Sequence, residues 1–432
     1  MVISLIGFAI LLGIAFFGLP LGFSMMLVGF VGFAFIRGMG PALETVSQQI
    51  LGLALNANFV VLPLFVLMGV FVFRAALAED IYEAANAWLG NKRGGLAMAT
   101  VAACGGFAAI SGSSVATAAT MARVSIPPMR RFKYNNGFAA GTVAAGGTMG
   151  ILIPPSAALI VYGILTETSI GDLFIAGIVP GLITVALYLA VIWGVAFLMP
   201  DLAPRADRAT WAHRWHTLSK VWAVLVLFLV IIGGITFGVF TPTEGGGIGA
   251  AGALLFAIAR KRMNLRVFFY ALVEAAETSA MVFTIAFGAL ILNNFVNVAG
   301  MPDAIVDFIK TLEIDRITVI LVVLLIYILL GTIIEGLAMI FLTVPIFVPL
   351  VDALGFDLIW FGIVMVMVVE ISLITPPIGL NVFVIKTIMP DVPLSSMFKG
   401  IAPFFAADII RLMLVVFLPG LALWLPKYVA QF

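Results

Sequence analysis

Two proline pairs, Pro154-Pro155 and Pro376-Pro377, stand inside long apolar stretches of the chain. Proline lacks a backbone N–H and its ring clashes with the preceding turn, so each pair is expected to break a helix and free carbonyl oxygens. Discontinuous membrane helices use such carbonyls, with Ser and Thr hydroxyls, to hold Na⁺, and half-helix N-termini attract anions. The alternative interpretation is that the prolines only kink a helix and the neighbouring glycines only serve packing.

Each proline pair follows an apolar stretch with a polar centre. The stretch 94–126 contains Ser111-Gly112-Ser113-Ser114, and the stretch 317–350 contains the run from Gly331 to Gly336. We predict two helical hairpins with their tips inside the membrane, where protein or a water-filled cavity must satisfy the non-helical backbone. Two full crossings would also fit, and the first tip could be a small-residue packing face. One tip beside one broken helix in each half predicts two Na⁺-type sites.

The composition is that of a membrane protein. Of 432 residues 63% are apolar and 10% are charged, against about 25% charged in soluble domains. This excludes a soluble enzyme, a nucleic-acid-binding protein and a disordered chain. The sequence lacks a phosphate-binding Gly-Lys-Ser loop and known hydrolase motifs, so we expect neither an ATPase nor another enzyme. Its single cysteine, Cys104, cannot form an internal disulfide.

The chain divides into two similar halves, because Pro376 follows Pro154 by 222 residues and other landmarks keep nearly this offset. The further pairs are 17–20 with 239–242, the stretch from Asp80 with that from Asp303, the two tips, and 177–180 with 400–403. An odd number of spans per half would invert the second half, as in secondary transporters. We predict a first repeat at 1–199 (hairpin 94–126, broken helix 137–165), a cytoplasmic linker at 200–220, and a second repeat at 221–432 (hairpin 317–350, broken helix 358–388).

Loop charges predict the orientation. With the N-terminus outside, most of the 22 Lys and Arg residues fall on the inner side, as the positive-inside rule requires. The outer loops are acidic. The opposite orientation would reverse this bias. Both termini are therefore expected outside.

The charged residues within predicted spans include Glu335, Glu370, Asp408 and Arg411. Glu335 and Glu370 could bind a cation or a proton, or satisfy freed backbone donors. Asp408 and Arg411 have the i, i+3 spacing of a neutralising pair. The alternative role of Arg411 is that of a ligand for a substrate carboxylate.

Two shorter patterns have local structural interpretations. Thr241-Pro242-Thr243-Glu244 predicts a helix start with a capping box. The segment 211–216 contains His213 and His216 and is interpreted as an interfacial amphipathic loop rather than a metal site.

Four motifs in order resemble the large membrane subunit of a TRAP (tripartite ATP-independent periplasmic) transporter, and the resemblance covers essentially the whole chain. They are Ser111-Gly112-Ser113-Ser114-Val115-Ala116-Thr117, Leu152-Ile153-Pro154-Pro155-Ser156, Phe240-Thr241-Pro242-Thr243-Glu244 and Thr375-Pro376-Pro377-Ile378-Gly379-Leu380-Asn381. The resemblance implies an all-α polytopic protein with two inverted repeats, each of about five spans and one re-entrant hairpin, in an elevator-type ion transporter architecture.

The resemblance also implies function and partners. It implies Na⁺-coupled import of an organic acid across the bacterial inner membrane, with two or three Na⁺ ions, no organic cofactor and periplasmic termini. The implied partners are a periplasmic substrate-binding protein and a small four-helix membrane subunit; the lipid bilayer surrounds the chain, and nucleic acid is no partner.

Site residues carry over from the family motifs to this sequence. The implied Na⁺ ligands of the first half are Ser111, Gly112, Ser113, Ser114, Gly147, Thr148, Met149, Ile151 and Pro154, and those of the second are Gly331, Thr332, Glu335, Thr375, Pro376 and Gly379. The substrate should lie between the tips, with Ser113, Ser114, Pro155, Ser156, Asn381 and Arg411 as its expected contacts.

Two rival functions remain at this stage. One is a stand-alone Na⁺/anion symporter of related architecture without a binding protein. The other is a channel-type protein whose broken helices line a passive pore. An intramembrane enzyme is the weakest alternative, because no nucleophile–base arrangement is found.

Overall fold

The computed structural model describes residues 2–429, and these residues form helices without any strand. In the first half the helices are α1 (Val2–Phe16), α2 (Leu21–Arg37), α3 (Met39–Leu55), α4 (Val61–Arg74), α5 (Leu77–Leu89), α6 (Gly95–Ser111), α7 (Ser114–Arg131), α8 (Asn136–Thr148), α9 (Ala157–Thr166) and α10 (Ile170–Leu198). The linker and the second half contain α11 (Trp211–Leu218), α12 (Trp222–Thr236), α13 (Pro242–Ala259), α14 (Leu265–Val298), α15 (Met301–Thr311), α16 (Arg316–Gly331), α17 (Gly336–Ala353), α18 (Leu358–Ser372), α19 (Leu380–Ile388), α20 (Leu394–Phe417) and α21 (Gly420–Val429). Short 3₁₀ turns occupy Ala57–Val60, Met149–Ile151 and Pro200–Leu202.

Length and composition separate two kinds of apolar helix. Within the described residues, six helices are long and apolar enough to cross a membrane, among them α10, α14 and α20. Others, including α6, α9, α16 and α18, are apolar but only 10–17 residues long. A helix needs about 20 residues to cross a bilayer, so these short helices fit the halves of hairpins and of broken spans.

Both predicted hairpins are present as pairs of helices with short connections. Gly112 and Ser113 join α6 to α7, and the φ of +62° at Gly112 favours glycine. Residues 332–335 join α16 to α17. Helix α7 continues to Arg131, beyond the expected end at 126, and its last turn carries Arg130 and Arg131, whose positive charges suit a helix C-terminus.

Both proline pairs interrupt their helices completely rather than kink them. In the first half α8 ends at Thr148, the 3₁₀ turn follows, and α9 starts at Ala157. In the second half α18 ends at Ser372 and α19 starts at Leu380. The peptide bonds Pro154-Pro155 and Pro376-Pro377 are cis. The order of hairpin, half-helix, break and half-helix thus occurs twice, while the inversion of the second half stays a prediction.

The linker contains a docked helix where the sequence predicted an amphipathic loop. The Thr210 hydroxyl caps the first turn of helix α11 by accepting a hydrogen bond from the His213 N–H. The ring of Trp88 on α5 packs edge to face with Trp211 at 6.1 Å and Trp215 at 5.6 Å. The buried guanidinium of Arg214 lies 4.9 Å from the Trp211 ring. Aromatic and cation–π contacts therefore hold the linker against α5.

Close backbone contact joins the two halves at α8 and α20. A Cβ atom added at Gly141 would collide with the backbone of Gly400, and one added at Gly400 would collide with the backbone of Gly137. Small residues let membrane helices approach this closely. In a second packed group, α14 lies along α2 and α13 along α4.

We expect Gly141→Ala to destabilise the protein by about 1–3 kcal/mol, because the added methyl group overpacks the α8–α20 contact. The measurement is the thermal unfolding midpoint in detergent. Gly233→Ala is the matched control, since no heavy atom lies within 4 Å of a Cβ added there. Equal midpoints for the two variants would contradict the prediction.

Candidate ion and substrate site

A cavity of about 420 Å³ lies where the two hairpin tips meet. Its lining includes the first tip, Pro155, Ala157 and Ala158, and the second tip from Glu335 to Leu337. Residues of α4 and α14 also line it. Pockets for small molecules typically measure about 300–1,000 Å³, so this volume suits a small organic ligand.

The first tip packs directly on the first break. A Cβ added at Gly112 would lie 3.0 Å from the Pro155 carbonyl oxygen. One added at Gly150 would lie 2.8 Å from the Thr117 hydroxyl and would collide with the Ser113 carbonyl. The structure thus brings together the two segments whose oxygen atoms the sequence predicts as Na⁺ ligands.

Hydroxyl groups gather at this contact. The Ser111 and Thr117 hydroxyl oxygens are 2.7 Å apart, and the Thr117 hydroxyl donates to the Ser113 carbonyl at 2.7 Å. Thr117 was not among the predicted ligands, although it lies within the family motif. The Thr148 hydroxyl donates to the Ala145 carbonyl within its own helix at 2.7 Å. Thr117 is therefore a further oxygen-bearing side chain of the first tip.

The second tip contacts its broken helix at Ser372 and Val369, which are not among the predicted site residues. A Cβ added at Gly331 would lie 2.5 Å from the Ser372 Cβ, and one added at Gly336 would lie 2.7 Å from Val369. Glu335 caps α17, because its carboxylate accepts a hydrogen bond from the Ala338 N–H at 3.1 Å. This contact fits the interpretation that Glu335 satisfies a freed backbone donor.

The other residues predicted as Na⁺ ligands in the second half make hydrogen bonds within their own segments. The Thr332 hydroxyl donates to the Leu329 carbonyl and the Thr375 hydroxyl to the Ile371 carbonyl. Pro376 is exposed, and Gly379 has a φ of +61°. Their predicted role as Na⁺ ligands stays a prediction.

Of the six predicted substrate contacts, three line this cavity: Ser113, Ser114 and Pro155. The other three are fully buried and do not line this cavity, so their role as substrate contacts stays a prediction. They are Ser156, whose hydroxyl caps α9 and donates to the Ile151 carbonyl, Asn381, and Arg411.

Asn381 connects the two halves instead. Its Oδ1 accepts a hydrogen bond from the Ser114 hydroxyl at 2.9 Å, and its Nδ2 donates to the Ala144 carbonyl at 3.2 Å. Asn381 is the second residue of α19, the helix that follows the Pro376-Pro377 break, while Ser114 belongs to the first tip and Ala144 to α8. One buried amide thus ties the second broken helix to both first-half elements of the site.

Arg411 pairs with Asp408, as the i, i+3 spacing predicts, and also with Glu370. The distances to its Nη2 are 3.2 Å from Asp408 Oδ1 and 2.8 Å from Glu370 Oε2. All three side chains are completely buried. The structure therefore assigns Arg411 to a buried ion cluster.

The cavity lining includes two charged residues that were not predicted as site residues. Arg123 on α7 and Glu274 on α14 both line it. Glu274 is paired at 2.6 Å with Arg74 at the end of α4, whereas Arg123 is exposed and joins none of the ion pairs found in residues 2–429. In the sequence, Arg123 is only one of the basic residues expected on the inner side, and that charge pattern does not reveal its position at the cavity.

Surface ion pairs gather at the end of the molecule that loop charges place inside. Arg130 pairs with Asp391 at 2.8 Å and Lys220 with Glu83 at 2.9 Å, and Arg260 also pairs with Asp80. The hydrogen bond from Arg130 holds the pKa of Asp391 below its ordinary value. These pairs join separate segments of the chain, and solvent screening keeps the contribution of exposed pairs of this type to stability small.

Comparison with known proteins gives one consistent result. Residues 8–421 match the family model described as Tripartite ATP-independent periplasmic transporter, DctM component. The chain is 36% identical over 373 residues to the C4-dicarboxylate TRAP transporter large permease protein DctM of Pseudomonas aeruginosa, covering 86% of each chain. It is 32% identical over 419 residues to the sialic acid TRAP transporter large permease protein SiaM of Vibrio cholerae, covering 96% of each.

A solved structure shares the fold. The YdaH transporter of Alcanivorax borkumensis superposes with a TM-score of 0.60 at 14% identity, over 90% of each chain. At this identity the likeness concerns the fold alone.

We expect Ser114→Ala and Asn381→Ala to be non-additive in their effect on the free energy of unfolding, because both remove the same buried hydrogen bond. The expected coupling is about 1 kcal/mol. A double-mutant cycle measured by thermal or denaturant unfolding in detergent checks this. The control cycle combines Asn381→Ala with Thr387→Ala, since the exposed Thr387 hydroxyl bonds only within α19. Additive effects in both cycles would show that the hydrogen bond between Ser114 and Asn381 contributes nothing.

Proposed function

The chain belongs to the DctM family of tripartite ATP-independent periplasmic transporters, and on this premise we propose that it imports an organic acid together with Na⁺. Family membership makes it a multi-pass transport protein of the inner membrane, not an enzyme, that works with a periplasmic binding protein and a small membrane subunit. The observation that carries the finer proposal is the convergence of both hairpin tips on one cavity beside the two broken helices.

The proposed first Na⁺ site lies between the first tip and the first break. Carbonyl oxygens of residues 111–113 and 147–154, with the Ser111 and Ser113 hydroxyls, supply neutral oxygen ligands there. Hard cations prefer oxygen ligands, and neutral ligands leave the positive charge of the ion available to an anion nearby. The proposed second site uses residues 331–335 and 375–379 in the same way.

The proposed substrate position is the cavity between the tips. The N-terminus of α7 faces it, and Ser113 caps that helix with a neutral hydroxyl, so the positive end of the helix dipole stays available to a carboxylate. Arg123 adds a positive charge near the cavity opening. The two relatives above are named for C4-dicarboxylates and sialic acid, both of which are carboxylic acids.

The walls of the cavity support an elevator mechanism. Residues of the tips and breaks line the cavity together with residues of α4 and α14, so a ligand held by the tips also borders helices outside the hairpins and breaks. We propose that the unit containing the tips slides along α4 and α14 when Na⁺ and substrate are bound. The cavity extends to Arg123 and Glu274, on the side assigned to the cytoplasm, and this fits an inward-open state.

The experiment that tests the proposed function is uptake of labelled organic acids into proteoliposomes that contain this chain and its small subunit. Na⁺ gradient and binding protein are supplied separately and together. Uptake that requires both supports the proposal. Uptake that requires only Na⁺ identifies a stand-alone symporter, and flux that requires neither identifies a passive pore.

We expect the double substitution Ser113→Ala with Ser114→Ala to raise the Na⁺ concentration needed for half-maximal uptake, because it removes two hydroxyls of the first tip. Each lost hydrogen bond or ligand contact of this kind corresponds to roughly 1 kcal/mol, or about fivefold. Ser219→Ala is the control, since its hydroxyl is exposed on the linker and bonds only to the His216 carbonyl. Unchanged Na⁺ activation with normal expression would count against the first site.

A further inference from the structure

A second polar cluster lies away from the cavity, where α10, α18 and α20 meet. Arg411 of α20 contacts Glu370 of α18 and Asp408 of α20 through the same nitrogen, Nη2. Its Nη1 donates to the Thr184 hydroxyl of α10, and the Tyr188 hydroxyl of α10 donates to Asp408 Oδ2 at 2.7 Å. All five side chains are fully buried.

The cluster has an uneven charge count. Two carboxyl groups face a single guanidinium group, so the fully ionised cluster would carry one net negative charge without contact with water. An uncompensated buried charge costs several kcal/mol even after relaxation, and more in a membrane interior. Two carboxylates that share one site also repel each other. A further positive charge must therefore balance the cluster.

The arrangement of atoms favours a proton as that charge. Tyr188 occupies one oxygen of Asp408, and Arg411 approaches the other. In the described part of the molecule, both oxygens of Glu370 and Asp408 Oδ1 are buried and accept no hydrogen bond, so an oxygen is available to carry a proton. Arg411 Nη2 already contacts both carboxyl groups, at 2.8 Å and 3.2 Å, and a Na⁺ ion shared by them would lie next to this positive charge, whereas a proton needs only one oxygen.

We propose that this cluster binds one proton, shared between Glu370 and Asp408, and that it is neutral in the native protein. The titratable or charged groups that face it are Arg411 and Asp408 from α20, Glu370 from α18 and Tyr188 from α10. No bond other than the O–H bond forms: the proton comes from solvent and one carboxylate becomes a carboxylic acid. The proposal is independent of the proposed Na⁺ sites and of transport.

The test is infrared spectroscopy of purified wild-type protein, Glu370→Gln and Asp408→Asn in detergent at neutral pH. Each variant replaces one carboxyl group with an amide of the same shape and leaves one carboxylate opposite Arg411. We expect the carbonyl stretch of a protonated carboxylic acid, shifted by D₂O, in wild type and its loss in at least one variant. Loss of only carboxylate bands in both variants would overturn the proposal.

Stability of the same variants supplies a second measurement. A neutral cluster predicts that at least one single variant keeps the thermal midpoint of wild type, because an amide resembles the neutral acid. The double variant leaves Arg411 without a counter-charge and is expected to lose folded, monodisperse protein. If both single variants lose the fold as the double variant does, the cluster requires both negative charges and the proposal is wrong.

Discussion

The constraint on which the rest of this structure depends is that polar backbone groups inside a bilayer need protein or enclosed water as partners. Two breaks and two hairpin tips expose such groups at the ends of helices, of which α6, α9, α16 and α18 are only 10–17 residues long. The first tip satisfies this constraint by packing on the first break, and the second tip packs on the end of its own broken helix. The packing that satisfies this constraint also brings backbone and hydroxyl oxygen atoms together in one place, which is where the first Na⁺ site is proposed.

Small side chains make this concentration possible. The close approach of Gly141 to Gly400 brings the α8 half of the first broken helix against α20, and Asn381 then reaches the Ala144 carbonyl of the same helix. A bulkier residue at this contact would separate the helices and break the amide hydrogen bonds. The packing of α8 and the polar link across the halves are therefore parts of one arrangement, in which stability and the geometry of the proposed site cannot be changed independently.

The sequence predicts those features that arise from local chemistry. Proline pairs mark the breaks, Gly112 and Ser113 mark a tip, and the capping box of Thr241 and Glu244 is present in the structure. The contacts that a long side chain makes depend instead on which helix packs against it, and that helix can be distant in sequence. The sequence therefore did not reveal that Asn381 turns towards Ser114, or that Glu370 joins Arg411, 41 residues further along the chain. The helix at 211–218 was missed because its stability comes from Trp88, far away in sequence.

Charge is divided between two places with opposite requirements. At the cavity, ligands need to exchange, and the tips present neutral hydroxyl groups, helix ends and only two nearby unpaired or capping charges, Arg123 and Glu335. In the cluster around Arg411 all the side chains are buried, and opposite charges are held within 2.8–3.2 Å. A buried guanidinium at the cavity would bind a carboxylate strongly and hinder its release, whereas in the cluster the same group joins α10, α18 and α20. Placing the buried guanidinium in the cluster thus stabilises the packing of α10, α18 and α20 and keeps that charge out of the cavity lining.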